Sequence, residues 1–434
     1  MAKSICFYFQ IHQPYRLSHQ PWLAPKAGQS FFDGASPHRN REVFEKVATK
    51  SYIPMLSILK ELLEQYPDFT FSLSLSGVFL EQCQEYAEPL GTKVLDLLKS
   101  IARTDRVEFL AETYYHSLSF LYSKLDFIEQ VELHGKVIKG LFGQKPQVFR
   151  HTELLYRDDL ATWIYELGYR GMLAEGWHTA LPDDNPNLVR KAHLCELPPE
   201  DWDLIKEHKR TNFGKPKHLP VLTKNYKLSD DMAFRFGDRN WESYPLLSED
   251  YLEWIAVSPG DTVNLFMDFE TFGEHQWEDT GIFEFFKAIP AQAKARNIDF
   301  KTPSETIKAF PAQGTYHAPH WISWADTDRD LSAWIENEMQ HSALGAIKET
   351  ETLLHPLRTK TDRQSLQLWD EFRRLQTSDH LYYMSTKYWA DGDVHTYFSP
   401  YESPYDAYIN FMNTLTLLQF RIQEVLKYQS SKNA

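Results

Sequence analysis

The first two-thirds of the chain alternates short apolar runs with longer segments of helical periodicity. The apolar runs predict strands over residues 4–11, 69–75, 107–111, 148–150, 172–174 and 263–267. Apolar residues at helical spacing predict helices over residues 41–66, 90–102, 126–141 and 158–167. Strands that alternate with helices are typical of a parallel sheet covered by helices, so the pattern predicts an α/β fold with a barrel-like sheet.

Two regions depart from this alternation. Residues 183–240 are rich in Pro, Asn, Asp and Lys, which predicts a long excursion from the barrel. After residue 325 the strand pattern ends, and helices are predicted over 330–348, 364–376 and 406–427. The predicted organisation is therefore a barrel over residues 1–324 and a helical C-terminal region over residues 325–434 that packs on the barrel.

Composition and charge narrow the classes of partner. The 46 Lys or Arg against 60 Asp or Glu give a net charge of −14. A nucleic-acid binder should carry a basic surface, and an anionic membrane would repel this chain, so neither partner is expected. The 28 Phe, 23 Tyr and 12 Trp can fill a large core and leave rings to line a groove. A neutral substrate fits these properties best.

Cysteine usage and the N-terminus predict a soluble cytoplasmic protein. Cys6, Cys83 and Cys195 are odd in number and lack CxxC spacing, which disfavours a disulfide framework and a Cys-rich zinc site. The N-terminal apolar run is too short for a signal peptide, and no stretch approaches the roughly 18 apolar residues of a membrane span.

The clearest chemical feature is the run from Asn264 to His275, where a predicted strand leads directly into Asp268, Glu270 and Glu274. The C-terminal ends of parallel barrel strands form the active face of such folds. From residue 240 to residue 286 there are 11 Asp or Glu and no Lys or Arg. Crowded carboxylates raise one another's pKa, which suits a carboxyl group that donates a proton near neutral pH. A solvated acidic loop is the simpler alternative.

A second strand end carries Arg150, His151 and Glu153. The two basic residues could hold Glu153 ionised, the state that a nucleophile of a retaining glycosidase requires. Alternatively, Glu153 could be an acid at the start of the following helix. Further polar groups at strand ends are His12, Glu81 and His116. Polar groups at five strand ends indicate a shared site.

Metal, phosphate and dinucleotide chemistry find little support in the sequence. His12, His116, His151 and His275 could gather at one face, but they lack local ligand spacing, and there is no HExxH motif. No GxSxG, GxxxxGK[ST] or GxGxxG motif occurs.

Five short regions follow one another along the chain: residues 12–14 (HQP), 77–81 (GVFLE), 149–156 (FRHTELLY), 267–273 (MDFETFG) and 378–383 (SDHLYY). In this order they resemble the regions of glycoside hydrolase family 57, the family of α-amylases and 4-α-glucanotransferases. The resemblance implies an incomplete (β/α)7 barrel followed by a C-terminal helical bundle, retention of anomeric configuration, and neither a cofactor nor a catalytic metal. It assigns Glu153 as nucleophile and Asp268 as acid/base. The third region is similar to the α-amylase-like subgroup, yet hydrolysis and transfer both stay open.

The sequence thus predicts a retaining enzyme that acts on α-1,4-glucans or malto-oligosaccharides. Candidates for substrate contacts, besides the two carboxylates, are His12, Glu81, His116, Arg150, His275, Trp277, Trp321, Trp324, Asp379 and His380. The three tryptophans would stack on glucose rings, or else fill the core. Two other functions stay open: a metal-dependent carbohydrate deacetylase, and a non-catalytic glucan-binding protein.

Overall fold

The computed structural model describes residues 2–18, 30–32, 39–210, 217–387 and 399–433. Its strands are β1 Ser4–Ile11, β2 Phe71–Leu75, β3 Val107–Phe109, β4 Val148–Phe149, β5 Gly171–Glu175, β6 Arg190–Ala192, β7 Pro220–Lys224, β8 Thr262–Asp268, β9 Asp299–Phe300 and β10 Thr315–Tyr316. Among the described helices, none combines the length and the apolar character that a membrane crossing requires.

The helices separate the strands in the first part of the chain and follow one another after β10. They are α1 Asn40–Val47, α2 Ile53–Gln65, α3 Gly77–Glu85, α4 Thr92–Ala102, α5 Lys124–Phe142, α6 Asp158–Glu166, α7 Pro199–His208, α8 Tyr226–Asp230, α9 Ser248–Val257, α10 Ile282–Ala295, α11 Pro303–Ala309, α12 Glu338–Leu354, α13 Arg363–Leu375, α14 Ser378–Tyr382 and α15 Pro404–Asn433.

The strands form two sheets that face each other as an incomplete barrel. One has the order β3-β2-β1-β8, with β9 also paired to β1, and the other has the order β10-β6-β7-β5-β4. All pairs are parallel except β6 with β7. A parallel bridge between Ala111 and Phe149 joins the sheets at one seam. At the other, Asn225 donates its backbone N–H to the carbonyl of Asn264 at 2.8 Å. The predicted α/β fold with an incomplete barrel and a C-terminal helical region is confirmed.

Strand β1 shows why its sequence is apolar without alternation. All eight residues are buried. Phe7 and Phe9 pack in the cluster that the helices cover, while Cys6 and Tyr8 pack in a cluster between the sheets with Phe266 of β8. Both faces of a parallel strand are covered, so both must be apolar. Its buried polar side chains are confined to the ends of the strand, Ser4 at the start and Gln10 near the C-terminal end that leads to the site.

Two predicted boundaries differ from the structure. The segment 183–240, predicted as an excursion, contains β6, α7, β7 and α8, and β7 lies inside the second sheet. Its apolar run is brief and flanked by Pro and Lys, which hides the strand signal. The helix predicted over 330–348 begins only at Glu338, because the side chain of Asn337 accepts the N–H of Gln340 in a capping box.

The helical region is fastened to the barrel beside the site. Ser378, the first residue of α14, donates its N–H to the carbonyl of His116 at 3.0 Å. Arg373 of α13 donates Nε to Asp126 of α5 at 2.8 Å. The apolar core of the region, which includes Trp334, Phe372 and Phe411, is continuous with Val78 and Tyr114 of the barrel. These contacts fix residues 378–383 relative to the strand ends.

Candidate active site

A cavity of about 420 Å³ opens where the C-terminal ends of β1 and β8 meet the helical region. Seven of the predicted site residues line it: His12, His116, Glu153, Asp268, His275, Trp324 and Asp379. Further residues of its wall are Gln10, Lys224, Asp230, Glu270, Arg329, Trp334, Tyr382 and Tyr383. Both candidate catalytic carboxylates therefore face one cavity, as expected for groups at the ends of parallel strands.

Three groups distant in sequence hold the carboxylate of Glu153. Trp324 donates its indole N–H to Oε2 at 2.9 Å, and Ser378 donates its hydroxyl to Oε1 at 3.2 Å. Nε2 of His116 lies 3.4 Å from Oε1. Burial by itself would raise the pKa of Glu153, but the hydrogen bond and the charge of His116 outweigh it, and the pKa lies below its usual value. Glu153 is therefore ionised at neutral pH.

The backbone at this carboxylate adopts an uncommon conformation. Glu153 has φ 59° and Leu154 has φ 49°, in the left-handed region that residues other than glycine rarely adopt. The surrounding chain holds this turn: Trp324 donates its N–H to the carbonyl of Glu153 at 3.2 Å, and Tyr156 and Ile322 exchange backbone hydrogen bonds at 2.8 and 2.9 Å. Each such residue costs about 1–3 kcal/mol, and conformations of this kind cluster at active sites.

His116 links the ionised Glu153 to a second buried acid. Its Nδ1 lies 3.0 Å from Oε2 of Glu112, and the other oxygen of Glu112, Oε1, accepts the hydroxyl of Ser74 at 2.6 Å. Burial would lower the pKa of His116, but its hydrogen bonds to Glu112 and Glu153 raise it to about 9. His116 is therefore an imidazolium ion at neutral pH, placed between two carboxylates.

The predicted partners of Glu153 are wrong. Arg150 is fully buried and donates to Glu112 at 3.4 Å rather than to Glu153. His151 stacks on Phe127 at 5.8 Å, and burial lowers the pKa of its imidazole to about 3. Arg150 is thus engaged by another acid and His151 packs in the core, so neither residue pairs with the carboxylate that follows them. Arg150 lies under the site and does not line it.

Asp268 has the opposite protonation preference. It is the last residue of β8 and pairs in register with Gln10 of β1. Burial is the largest cause that raises its pKa to about 6, and the negative charge of Glu153 is the second. The positive charges of Arg150 and His116 oppose this rise only in part. The crowding of acids along the sequence is thus secondary to burial.

The other acids of the same run have separate partners. Glu270 accepts the hydroxyl of Tyr52 at 2.5 Å, and burial, followed by the charge of Asp268, raises its pKa to about 8. Glu274 pairs with Lys46 and lies 3.8 Å from Nζ of Lys50. The acidic segment 240–286 contains no lysine of its own, and the lysines that pair with Glu274 come from the α1–α2 segment.

His12 forms a polar pair at the edge of the cavity. Its ring stacks on that of His116 with centroids 4.0 Å apart. Burial and the charge of His116 lower the pKa of His12, so the ring is neutral. It donates Nε2–H to Asp379 at 3.0 Å, while Nδ1 accepts the hydroxyl of Ser76 at 2.8 Å. One residue of the first strand end and one of the helical region thus meet here.

Two predicted contacts lie away from the cavity on the surface side. Glu81 accepts the hydroxyl of Tyr114 at 2.9 Å and Nη2 of Arg374 at 3.0 Å, so it joins α3 to α13. Trp277 is 56% exposed, with Nζ of Lys50 lying 5.3 Å from the centre of its ring. Neither side chain lines the cavity.

Two other predicted contacts belong to the apolar cores. Trp321 packs under the guanidinium of Arg157, which lies 4.4 Å from its ring centre, and against Phe120. His380 is buried against Phe411, 5.8 Å between ring centres, and burial lowers its pKa to about 4. His380 follows Asp379 directly, but on the short helix α14 adjacent residues face different directions.

A group of four charged residues on the β5–β7 side was not predicted from the sequence. Arg329 donates to Glu175 at 2.8 Å and to Asp230 at 3.1 Å, and Lys224 donates to Asp230 at 3.0 Å. Lys224, Asp230 and Arg329 line the cavity. Glu175 and Lys224 are the last residues of β5 and β7. Charged residues at two strand ends would have predicted this part of the site if β7 had been recognised in the sequence.

Possible metal donors are placed elsewhere. Within the described part of the chain, donor atoms of Asp158, His193 and His317 lie within 4.8 Å of one another, and none of these residues lines the cavity. Of the four histidines weighed as ligands, His151 faces the core. A metal-dependent deacetylase would need its metal ligands in the cavity, whereas this group of donors lies outside it.

Comparison with known proteins agrees with this arrangement. Residues 6–319 match the sequence profile of glycosyl hydrolase family 57. The chain belongs to this family. A protein of Methanocaldococcus jannaschii named "Putative alpha-amylase" is 37% identical over 437 residues, which cover 99% of this chain and 87% of that protein.

Two solved structures share the fold. The GH57-type branching enzyme of Pyrococcus horikoshii has a TM-score of 0.65 at 15% identity, over 98% of this chain and 95% of that enzyme. The 4-alpha-glucanotransferase of Thermococcus litoralis has a TM-score of 0.56 at 18% identity, over 87% of this chain and 56% of that enzyme. These likenesses show that the chain shares its fold with both enzymes.

Proposed function

We propose that this chain is a retaining glycoside hydrolase or transglycosylase of α-1,4-glucans, an α-amylase or a 4-α-glucanotransferase. The observation that carries the proposal is the pair Glu153 and Asp268, which face one cavity with opposite pKa shifts. A retaining enzyme needs one ionised and one protonated carboxyl group, and environments that push the two pKa values apart assign the roles. Family membership supports the same substrate class.

In the first half of the reaction Glu153 attacks the anomeric carbon while Asp268 donates its proton to the glycosidic oxygen. Trp324 and Ser378 keep the attacking carboxylate in one orientation. As the glycosyl-enzyme forms, the charge on Glu153 is lost, and the pKa of Asp268 should fall because that charge helps to raise it. Asp268 can then act as the base in the second half.

The acceptor in the second half decides between hydrolysis and transfer. Asp268 deprotonates either water or a sugar hydroxyl, which then attacks the glycosyl-enzyme. Polar groups of the wall that could hold sugar hydroxyls are His12, His275, Asp379 and the Lys224–Asp230–Arg329 group. Trp334, Tyr382 and Tyr383 are the aromatic residues that the helical region adds to the wall. We propose that residues 325–434 complete the cleft in this way.

Azide tests the two roles with an α-glucosyl fluoride, whose leaving group needs little protonation. In Glu153→Ala, azide replaces the nucleophile and should give a β-glycosyl azide. In Asp268→Ala, the glycosyl-enzyme still forms, and azide attack on it should give an α-glycosyl azide. Exchange of the two anomers would reverse the assignment, and wild-type rates in either variant would remove that residue from the mechanism.

Glu270→Gln is the matched control. Glu270 also lines the cavity and also has a raised pKa. Its carboxylate is held by Tyr52, and after burial the charge of Asp268 contributes most to raising its pKa. We expect this variant to keep the wild-type dependence on leaving group and to form no glycosyl azide. If Glu270→Gln, and not Asp268→Ala, reacted selectively with the fluoride, Glu270 would be the acid.

The products from maltoheptaose separate the two activities. Shorter sugars alone would indicate hydrolysis, and a ladder that extends beyond seven glucose units would indicate transfer. An absence of any turnover together with measurable glucan binding would refute the enzyme and support a glucan-binding protein. Unchanged activity after dialysis against a strong chelator is expected, whereas its loss would support metal-dependent chemistry.

A further inference from the structure

We infer that Asp158, His193 and His317 form a binding site for a divalent transition-metal ion, with zinc as the ion that fits best. Their donor atoms lie within 4.8 Å of one another, where β6 and β10 end at one edge of the second sheet. The three residues do not line the glucan cavity, so the site is independent of the sugar chemistry.

The sheet itself brings the two histidines together. Strands β6 and β10 are parallel, with Lys191 opposite Thr315 and Ala192 opposite Tyr316. His193 and His317 are the next residues on each strand, so their side chains leave adjacent strand ends in the same direction. Their ring centres are 4.4 Å apart. Continuing register, rather than chance contact on a loop, thus sets the spacing.

The carboxylate is held rigidly beside them. Asp158 is the first residue of α6, and its side chain is only 7% exposed. Oδ1 accepts the N–H of Ala318 at 2.9 Å, and Asp158 donates its own N–H to the carbonyl of Ala318 at 3.1 Å. Oδ2 lies 2.6 Å from Nδ1 of His317. One oxygen is thus used by the backbone, and the other is directed at the histidine pair.

Two imidazole nitrogens and one carboxylate oxygen are a donor set that suits zinc, with a fourth position left for water. In a tetrahedral site with bonds of about 2.0–2.1 Å, donor atoms lie roughly 3.3 Å apart. Bonds to the ion would replace the hydrogen bond between Asp158 and Nδ1 of His317, and the Nδ1 proton of the neutral ring would move to Nε2, since only an unprotonated nitrogen binds a metal. The side chain of His317 is 53% exposed and can make the small adjustment.

A bound ion would join three parts of the chain. It would tie the ends of β6 and β10 to the start of α6, which follows the strained turn at residues 153–154. The segment after His317 leads to Trp324, which donates to Glu153. The expected effect is stabilisation of the fold, since an ion that binds only the folded chain raises its stability.

Zinc binding to the full chain tests the inference by equilibrium dialysis and by the melting temperature. After removal of metal, the wild type should bind one zinc ion and melt at a higher temperature with zinc than without. His193→Ala and His317→Ala should bind at least about tenfold more weakly, since even outer-shell changes cost 10–100-fold in affinity. Both histidines are exposed, so these variants should fold normally.

His341→Ala is the matched control, because His341 is an exposed histidine on α12 in the helical region. It should bind zinc as the wild type does, as should Cys195→Ser. Equal zinc affinity in wild type, His193→Ala and His317→Ala would overturn the site. Zinc binding lost in Cys195→Ser but kept in both histidine variants would overturn it as well, as would a wild-type chain that binds no zinc.

Discussion

The protonation state of Asp268 should set the alkaline limit of activity. Its pKa is raised from 3.8 to about 6, first by burial and then by the charge of Glu153. At 1.36 kcal/mol per pKa unit, this corresponds to about 3 kcal/mol in favour of the protonated form. The acid is therefore available below about pH 6 and lost above it. The nucleophile must be ionised, and its lowered pKa places the acid limb below the usual range of Glu.

The assay is the pH profile of kcat/KM, which reports the free enzyme. With a malto-oligosaccharide, kcat/KM should be greatest between the two pKa values and fall about tenfold for each pH unit well above the higher one. With α-glucosyl fluoride, whose departure needs little acid, the alkaline limb should flatten. Asp268→Ala should remove the limb for the fluoride while the acid limb stays.

Two results would refute this reasoning. One is an alkaline limb that is equally steep with the fluoride and with the oligosaccharide, since protonation of the leaving group would then not be its cause. The other is an unchanged limb in Asp268→Ala, which would assign the titration to another group. Glu270→Gln again serves as the control, because its pKa of about 8 would give a limb at higher pH.

The remaining predictions concern the groups around the two carboxylates. His116→Gln removes the charge that helps to keep Glu153 ionised, so the acid limb of the same pH profile should move to higher pH; a limb that stays in place would show that His116 does not control this group. Trp324→Phe removes a hydrogen bond to a charged group, worth about 1.5–3 kcal/mol, and should lower kcat/KM by roughly tenfold or more, while the exposed Trp277→Phe should change it less than about twofold. Equal losses in both tryptophan variants would contradict the assignment. Asp268→Asn should raise the free energy of unfolding above pH 6 by up to about 3 kcal/mol, because the folded wild type holds a carboxylate whose pKa is raised. Urea unfolding at pH 5 and pH 8 measures this difference, and an equal effect of the substitution at both pH values would exclude it.

The sequence by itself determined where the two carboxylates stand. Each follows a short apolar run, and apolar runs that alternate with helices make parallel strands, whose C-terminal ends share one face. The order of the motifs and the residue at which the helical region begins could also be predicted. A strand that is buried on both faces can be recognised by its continuous apolar sequence. Strand β7 could not be recognised in this way, because its short apolar run lies between Pro and Lys in a polar segment.

Only the tertiary structure decided which groups control those carboxylates. Of the neighbours of Glu153 in sequence, Arg150 is held by Glu112 under the site and His151 packs in the core. The actual partners of Glu153 are His116, Trp324 and Ser378, which come from up to 225 residues away. A pKa depends on burial and on charges within a few ångströms, and both follow from how distant segments pack rather than from the local run of residues. The acidity of Asp268 and the ionisation of Glu153 are therefore properties of the folded barrel and its helical region together.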